Sequence, residues 1–374
     1  MYQPKFLKLS LAVLLAALTS CSKNNDIEIK GNIQGLDAEW VYLNNTYPIG
    51  KKPPLDSVEV TNGTFVFKFH PDTVFEPRLV NISYKDKLNK NRRPAGLSII
   101  NPLSKDKAKP DLFGDFLMEP GVTELTGNLS QAQGITIKAG HQTDFYWKNR
   151  DLPFSRMSSD LAKHKKQVDR LVSKVKETPD AWWALNALSN LKFQINNDEL
   201  KTVLNTFDEP TRQSYSGKKI QEFLALRPGE NDPRPNNLLV TPEGTHIAMI
   251  DTTKKLNMVI FWASWCGPCR AEIPTLKRVA AQIKDDRFRM VSVSLDDVDE
   301  WWKKAMAQEK MTWQQLCVDK PMMTRMLTQY NLNFIPQIFL IDGSNRKLIT
   351  KFDGFEQENE PKLVKQINEY LSKS

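Results

Sequence analysis

Two cysteines three residues apart, Cys266 and Cys269, enclose Gly267-Pro268 directly after the apolar run Val259-Ile260-Phe261-Trp262-Ala263-Ser264-Trp265. A helical pattern follows the pair. A thiol at a helix N-terminus lies against unpaired N–H groups and the positive end of the helix dipole, and both favour its thiolate. Such a thiolate attacks a disulfide, is joined to it as a mixed disulfide, and is released when a second nearby thiol attacks in turn. Cys266 is assigned as the nucleophile and Cys269, one turn into the helix, as the resolving thiol. The other chemistry open to a cysteine pair is zinc binding. A structural zinc site needs a second ligand pair, and the chain offers for it only Cys317 and four scattered histidines, His70, His141, His164 and His246.

The elements that would hold the pair extend from about residue 232 to 374. After the Pro-rich stretch 227–236 come a strand, a turn at Pro242-Glu243-Gly244, a second strand, and the apolar strand 256–262 that enters the Cys-x-x-Cys turn. A strand at 288–295, helices at 298–309 and 322–330, a strand at 338–341, a turn at Asp342-Gly343, a strand at 347–352 and a helix at 357–372 complete the series. Alternating strands and helices with a closing hairpin predict a mixed, mostly parallel α/β sheet covered by helices. Cys317 falls in the apolar segment Trp313–Val318 and is read as a buried, inert thiol.

Upstream, residues 27–138 read as an all-β, sandwich-like domain. Ser57–Thr61 and Thr64–Phe69 alternate around Asn62-Gly63, a hairpin signal. Further strands are expected at 79–84, 116–118, 122–126 and 135–137, with an exposed loop over 86–111. From about 142 to 226 the period becomes helical. Thr178-Pro179-Asp180 reads as a helix start, and Trp182, Leu185, Leu188 and Leu191 as an apolar core stripe.

The first residues carry Lys5 and Lys8 and then an apolar stretch, Leu9–Leu18, too short to span a bilayer, which reads as a cleaved signal over 1–20. It ends Leu18-Thr19-Ser20-Cys21. This resembles a bacterial lipobox, which implies that Cys21 is lipidated, becomes the mature N-terminus and anchors the chain to a membrane surface. With four cysteines in 374 residues the chain is not a disulfide-stapled scaffold. The net charge of +8 is dispersed in small basic groups, which argues against nucleic-acid binding in an exported chain.

Residues 232–374 resemble thioredoxin, and more closely the membrane-anchored thiol–disulfide oxidoreductases of the TlpA/ResA type. Phe261–Cys269 is nearly the thioredoxin active-site segment. Pro274 matches the proline that kinks the first active-site helix, and Ile335-Pro336 the cis-proline loop facing the cysteines. Asp342-Gly343 matches the turn between the last two strands, and Gly354 the glycine near the substrate groove. The resemblance implies a thioredoxin fold with Trp265, Gly267 and Pro268 shaping the rim, and with Pro336 presenting the backbone of Ile335 to an extended substrate strand. It implies no cofactor and no metal. Thioredoxin has a buried Asp six residues before its first cysteine, where this chain has Ile260. The ResA-like subgroup instead uses a Glu three residues after the second cysteine, here Glu272, which is therefore expected to be partly buried, with a raised pKa, and to accept the Cys269 proton. Ile29–Ile33, Leu55–Ser57, Asn62–Phe67 and Phe116–Gly121 are similar to the β domain of unknown function that precedes thioredoxin domains in many Gram-negative lipoproteins, and 160–226 to their spacer.

The fold does not set the direction of electron flow. Gly267-Pro268 is the pair found in reducing thioredoxin, at about −270 mV, whereas the oxidant DsbA lies near about −120 mV. The expected activity is therefore reduction of protein disulfides on the periplasmic side of the cell envelope. The resemblance implies a membrane electron donor of the CcdA or DsbD type and clients that include apocytochrome c. The alternatives are an isomerase or oxidant, or a lipoprotein whose β domain binds a glycan, peptide or protein while the thioredoxin fold serves as scaffold.

Overall fold

The computed structural model describes residues 25–46, 53–73, 75–87, 94–106, 108–129, 134–152, 156–354 and 360–373. The signal segment 1–20 and Cys21 lie outside the described residues. The chain divides into two compact units, with the boundary between Lys148 and Asn149.

The first unit holds two sheets. One runs in the order Thr64–Phe69, Ile27–Gln34, Gly121–Asn128, Ile135–Lys138, Ile99–Ile100, Leu112–Phe113. The other runs Asp56–Glu59, Ala38–Asn45, Arg78–Asp86, Ala95–Gly96, with Asp115–Met118 also paired to Arg78–Asp86. Period-2 burial is clear in Ile27–Gln34, where Ile27, Ile29 and Ile33 are buried while Asn32 and Gln34 face solvent.

The Asn62-Gly63 turn forms, with both residues at positive φ (53° and 76°). The strands it joins do not pair as a full hairpin. Only Thr61 and Thr64 bridge, and beyond them one strand enters each sheet. The cause is a contact from outside the turn: Ile33 donates its N–H to the Gly63 carbonyl, and a Cβ on Gly63 would sit 2.3 Å from the Ile33 oxygen. The turn is thereby held against Ile33 and forms a corner between sheets. The segment 86–111 is likewise not simply an exposed loop. It contributes two short strands and buries Leu97, Ile99, Asn101 and Ser104.

The helix His141–Lys148 belongs to this first unit, although the helical period from 142 onward pointed to the spacer. Glu119, 5% exposed, accepts hydrogen bonds from the backbone N–H groups of Gln142 and Thr143 and from the Thr143 hydroxyl, and so caps the helix N-terminus. Tyr146 donates to Asp115 Oδ2, and Trp147 Nε1 to the Asp115 carbonyl.

The second unit contains the helices Leu161–Glu177, Trp182–Leu191, Asn197–Thr206, Glu209–Gln213 and Tyr215–Leu226, followed by a seven-stranded sheet. Thr178-Pro179-Asp180 does not start a helix. Thr178 ends the preceding one, its N–H bonded to the Lys174 carbonyl, and its own carbonyl accepts the N–H of Ala181 in a turn. The next helix begins at Trp182, and within it Trp183 rather than Trp182 is the fully buried tryptophan, its Nε1 donating to the Asn149 carbonyl.

The sheet order is His246–Ala248, Leu238–Val240, Gln314–Cys317, Phe288–Ser294, Leu256–Trp262, Gln337–Asp342, Leu348–Asp353. The central three, Gln314–Cys317, Phe288–Ser294 and Leu256–Trp262, are parallel, and the strands on either flank are antiparallel. Every residue of Leu256–Trp262 is buried, as expected of a strand covered on both faces. Val259 and Phe261 join one core with Met326, Tyr330 and Phe339. Leu256, Met258 and Ile260 join another with Leu276 and Val279 of the helix Gly267–Gln282 and with Leu363, Ile367 and Leu371 of the helix Glu360–Ser372.

Pro-rich 227–236 lies within the unit rather than between units. Arg227 is buried and donates to the carbonyls of Lys192 and Ile195, to Asn197 Oδ1 and to Asn331 Oδ1. Burial lowers its guanidinium to about 10. Asn331 in turn donates to the Phe193 carbonyl at 2.9 Å. These bonds tie the helices to the segment that leads into Ile335-Pro336. No helix among the described residues is long and apolar enough to cross a membrane.

Candidate active site

The buried strand Leu256–Trp262 delivers Cys266 to the N-terminus of the helix Gly267–Gln282, where it is the N-cap residue. Its Sγ accepts the N–H of Cys269 at 3.2 Å. That contact, with the helix dipole behind it, is the electrostatic setting that lowers the energy of a thiolate at this sulfur. Cys266 and Cys269 form a disulfide, with Cα atoms 5.3 Å apart, and both residues are buried.

The Ile335-Pro336 peptide bond is cis. The Ile335 carbonyl oxygen lies 3.9 Å from Cys266 Sγ, so this loop faces Cys266 directly. The Pro336 carbonyl accepts the N–H of Gly354 at 3.0 Å, and Gly354 adopts a φ of +81°, open to few side chains. Beside Pro336, the buried Gln337 donates to Asp353 Oδ1. Trp265, Gly267 and Pro268 are exposed around the cysteines, Trp265 at 63%. They stand exposed around a buried sulfur pair.

Glu272 lies one turn beyond Cys269 on the same helix and is half-buried, with Oε2 fully enclosed. Its Oε1 reaches the edge of Gly354, 3.9 Å from where a Cβ there would stand. Ile260 packs in the apolar core beneath the same helix. Pro274 is inside the helix and exposed.

Asp296 is a contributor that motif reading passed over. It is 3% exposed and follows the strand Phe288–Ser294. Its Oδ2 accepts the Ser264 N–H at 2.9 Å and the Ser294 hydroxyl at 2.6 Å, and its Oδ1 accepts the Ser264 hydroxyl at 2.6 Å. The carboxylate therefore fixes the backbone two residues before Cys266. Its place just past the C-terminal end of a parallel strand, where functional groups gather in such sheets, is the signal that could have found it.

Cys317 is buried in the same cluster as Cys266, Cys269 and Trp302, with its Sγ 3.6 Å from the Asp296 carbonyl oxygen. Burial, reinforced by the carboxylates of Asp296, Asp299 and Asp319, pushes its thiol up to about 11. Arg270, next to Cys269, pairs with Glu309 on the helix Asp299–Glu309 at 2.7 Å. Trp302 is fully buried and its neighbour Trp301 exposed. Among the described residues no cluster of His, Cys, Asp and Glu could hold a metal ion.

Residues 254–348 match the thioredoxin-like family model, and residues 27–146 match a domain of unknown function, DUF4369. A thiol-disulfide oxidoreductase ResA from Bacillus cereus is 27% identical over 139 residues, which is 37% of this chain and 75% of that protein. The thiol:disulfide interchange protein HelX of Rhodobacter capsulatus is 29% identical over 100 residues, 27% of this chain and 53% of its own. The crystal structure of the thioredoxin domain of a thiol-disulfide oxidoreductase from Bacteroides vulgatus is 26% identical, covering 39% of this chain and 99% of that one, with a TM-score of 0.35. With its Cys-Gly-Pro-Cys turn and facing cis-proline loop, the C-terminal part of the chain is a thioredoxin-like domain with ResA-type thiol-disulfide oxidoreductases as relatives, preceded by a DUF4369 domain.

Proposed function

We propose that the protein reduces disulfides of exported client proteins through a Cys266/Cys269 dithiol cycle. The observation that carries this reading is the Cys266 sulfur at a helix N-terminus, facing the Ile335 carbonyl across the cis-Pro336 loop. In the reduced enzyme the Cys266 thiolate attacks one sulfur of the client disulfide. A Cys266–client bond forms, the client S–S bond breaks, and the departing client thiolate takes up a proton. Cys269 then loses its proton, attacks Cys266 Sγ, and releases the second client thiol. Two electrons pass to the client, and the enzyme is left as the Cys266–Cys269 disulfide. Glu272, one turn beyond Cys269 and half-buried, is the proposed acceptor of the Cys269 proton.

Trp265, Gly267, Pro268, Ile335 and Pro336 form the client-binding rim in this reading. Cys21 carries the lipid that anchors the chain to the envelope of a Gram-negative bacterium. A membrane thiol donor of the CcdA or DsbD type returns the two electrons, and clients include apocytochrome c with oxidised haem-attachment cysteines. The Gly267-Pro268 dipeptide and the lipobox-like end of the leader support these assignments.

Insulin reduction tests the core of the proposal. The wild type accelerates precipitation of the insulin B chain and Cys266→Ser does not, while Cys269→Ser accumulates mixed disulfides with clients on Cys266. Equal rates for wild type and Cys266→Ser refute the cycle. Glu272→Gln is expected to slow release of the mixed disulfide and to change the thiol titration; unchanged thiol titration and turnover remove Glu272 from the mechanism.

A further inference from the structure

The second unit contains a groove of about 460 Å³ that opens beside the Ile335-Pro336 loop. One wall is thioredoxin-like: Asn333 and Phe334, which lead directly into Ile335, and Asp353 beside Gly354. The other wall comes from the helical segment and includes Arg156, Ser159 and Gln194. Phe334 is 47% exposed, an aromatic ring left in solvent next to the residue that faces the nucleophile. The walls are fixed to each other, because Asn331 donates to the Phe193 carbonyl and Arg227 bonds both Asn331 and the carbonyls of Lys192 and Ile195.

We infer that the helical segment is the distal wall of the client-binding groove, and that its occupant is an extended segment of the client polypeptide flanking the attacked cysteine. Three observations carry this. The first is continuity: Phe334 is the chain neighbour of Ile335, whose carbonyl is 3.9 Å from Cys266 Sγ. A client strand that passes Ile335 and follows the chain back to Phe334 runs into the groove. The second is chemistry. Ser159, Gln194 and Asn333 offer both donors and acceptors, which an extended backbone can satisfy, and Phe334 offers an apolar face for a client side chain. The third is rigidity. A wall bonded to the loop imposes selection on the client, where a tethered spacer would not.

The inference rests on the disulfide-exchange reading, and two substrates of different size separate the two. Glutathione disulfide is too short to extend from Cys266 along the helical wall, whereas insulin can. Ser159→Trp and Arg156→Trp each place a large side chain in the groove from an exposed position. Stopped-flow fluorescence of the reduced enzyme against excess substrate gives the second-order rate constant of its single oxidation by each. In each variant the ratio of the insulin value to the glutathione disulfide value is expected to fall about tenfold. An unchanged ratio in both variants overturns the inference, as does an equal loss with the two substrates. A wild type that reacts with neither substrate fails the underlying reading instead.

Discussion

Replacing Asp296 by alanine tests whether the active-site turn is held from beneath. Three hydrogen bonds end on this carboxylate, two of them from Ser264. Without it the Ser264 N–H loses a fixed acceptor, at a cost of about 1–3 kcal/mol for an unsatisfied buried donor, and two charge-assisted hydroxyl bonds disappear as well. Part of that loss is offset because a buried carboxylate no longer has to be desolvated. The expected net destabilisation of the second unit is about 4 kcal/mol, or roughly 8–16 °C in Tm at about 2–4 °C per kcal/mol for a unit of this size. Asp296→Asn keeps one carbonyl acceptor for the Ser264 N–H, and the hydroxyls can turn to meet the amide, so its expected cost is about 1–2 kcal/mol. Urea unfolding of the oxidised protein, followed by tryptophan fluorescence, measures both. Insulin reduction well below either transition should also be slower in Asp296→Ala, because the backbone entering Cys266 has lost its anchor. A loss under about 1 kcal/mol for alanine, or asparagine as damaging as alanine, refutes the reasoning.

Further outcomes are expected at Cys317 and Glu119. In the reduced protein at pH 8, iodoacetamide should modify Cys266 and Cys269 and leave Cys317 untouched by mass spectrometry, because burial pushes the Cys317 thiol up to about 11. The native form is the protonated thiol, so the stability Cys317 contributes is full below the ordinary value of 9.0 and is lost as pH rises through about 11, a decline that Cys317→Ala should abolish. Glu119→Ala should destabilise the first unit by about 2–4 kcal/mol, since it strips two backbone donors and a hydroxyl of their acceptor. Burial raises the Glu119 carboxyl above the ordinary 4.5, so its contribution is greatest below that value and falls as pH rises through the native one. The gap in urea midpoint between wild type and Glu119→Ala should therefore be wider at pH 4 than at pH 8.

The thioredoxin-like half was legible because its signals are local and mutually consistent. The all-apolar run at 256–262 is a strand buried on both faces, the Cys-x-x-Cys turn marks a helix N-terminus, and Asp342-Gly343 marks the last hairpin. The first unit was less legible because pairing choice is not local. Asn62-Gly63 specifies a turn, but whether the two strands stay together depends on Ile33, far upstream in the chain. Thr178-Pro179-Asp180 misled because a threonine followed by proline suits a turn as well as a helix start. Asp296 carries no motif. Its role comes from a parallel strand register that brings Ser294 opposite Trp262, next to the turn.

Arg227 has a consequence for how the molecule comes apart. By composition, residues 227–236 are where a protease cut should liberate an autonomous redox module. Its guanidinium is bonded to four partners on both sides of that stretch, so the helices and the sheet are expected to open as one cooperative unit. Amide hydrogens of the helix Trp182–Leu191 and of the strand Leu256–Trp262 would then exchange through the same opening event. A nick in the proline-rich stretch would leave the two fragments associated, and a thioredoxin-like piece expressed alone from residue 232 would begin with the surface beneath Arg227 newly wet.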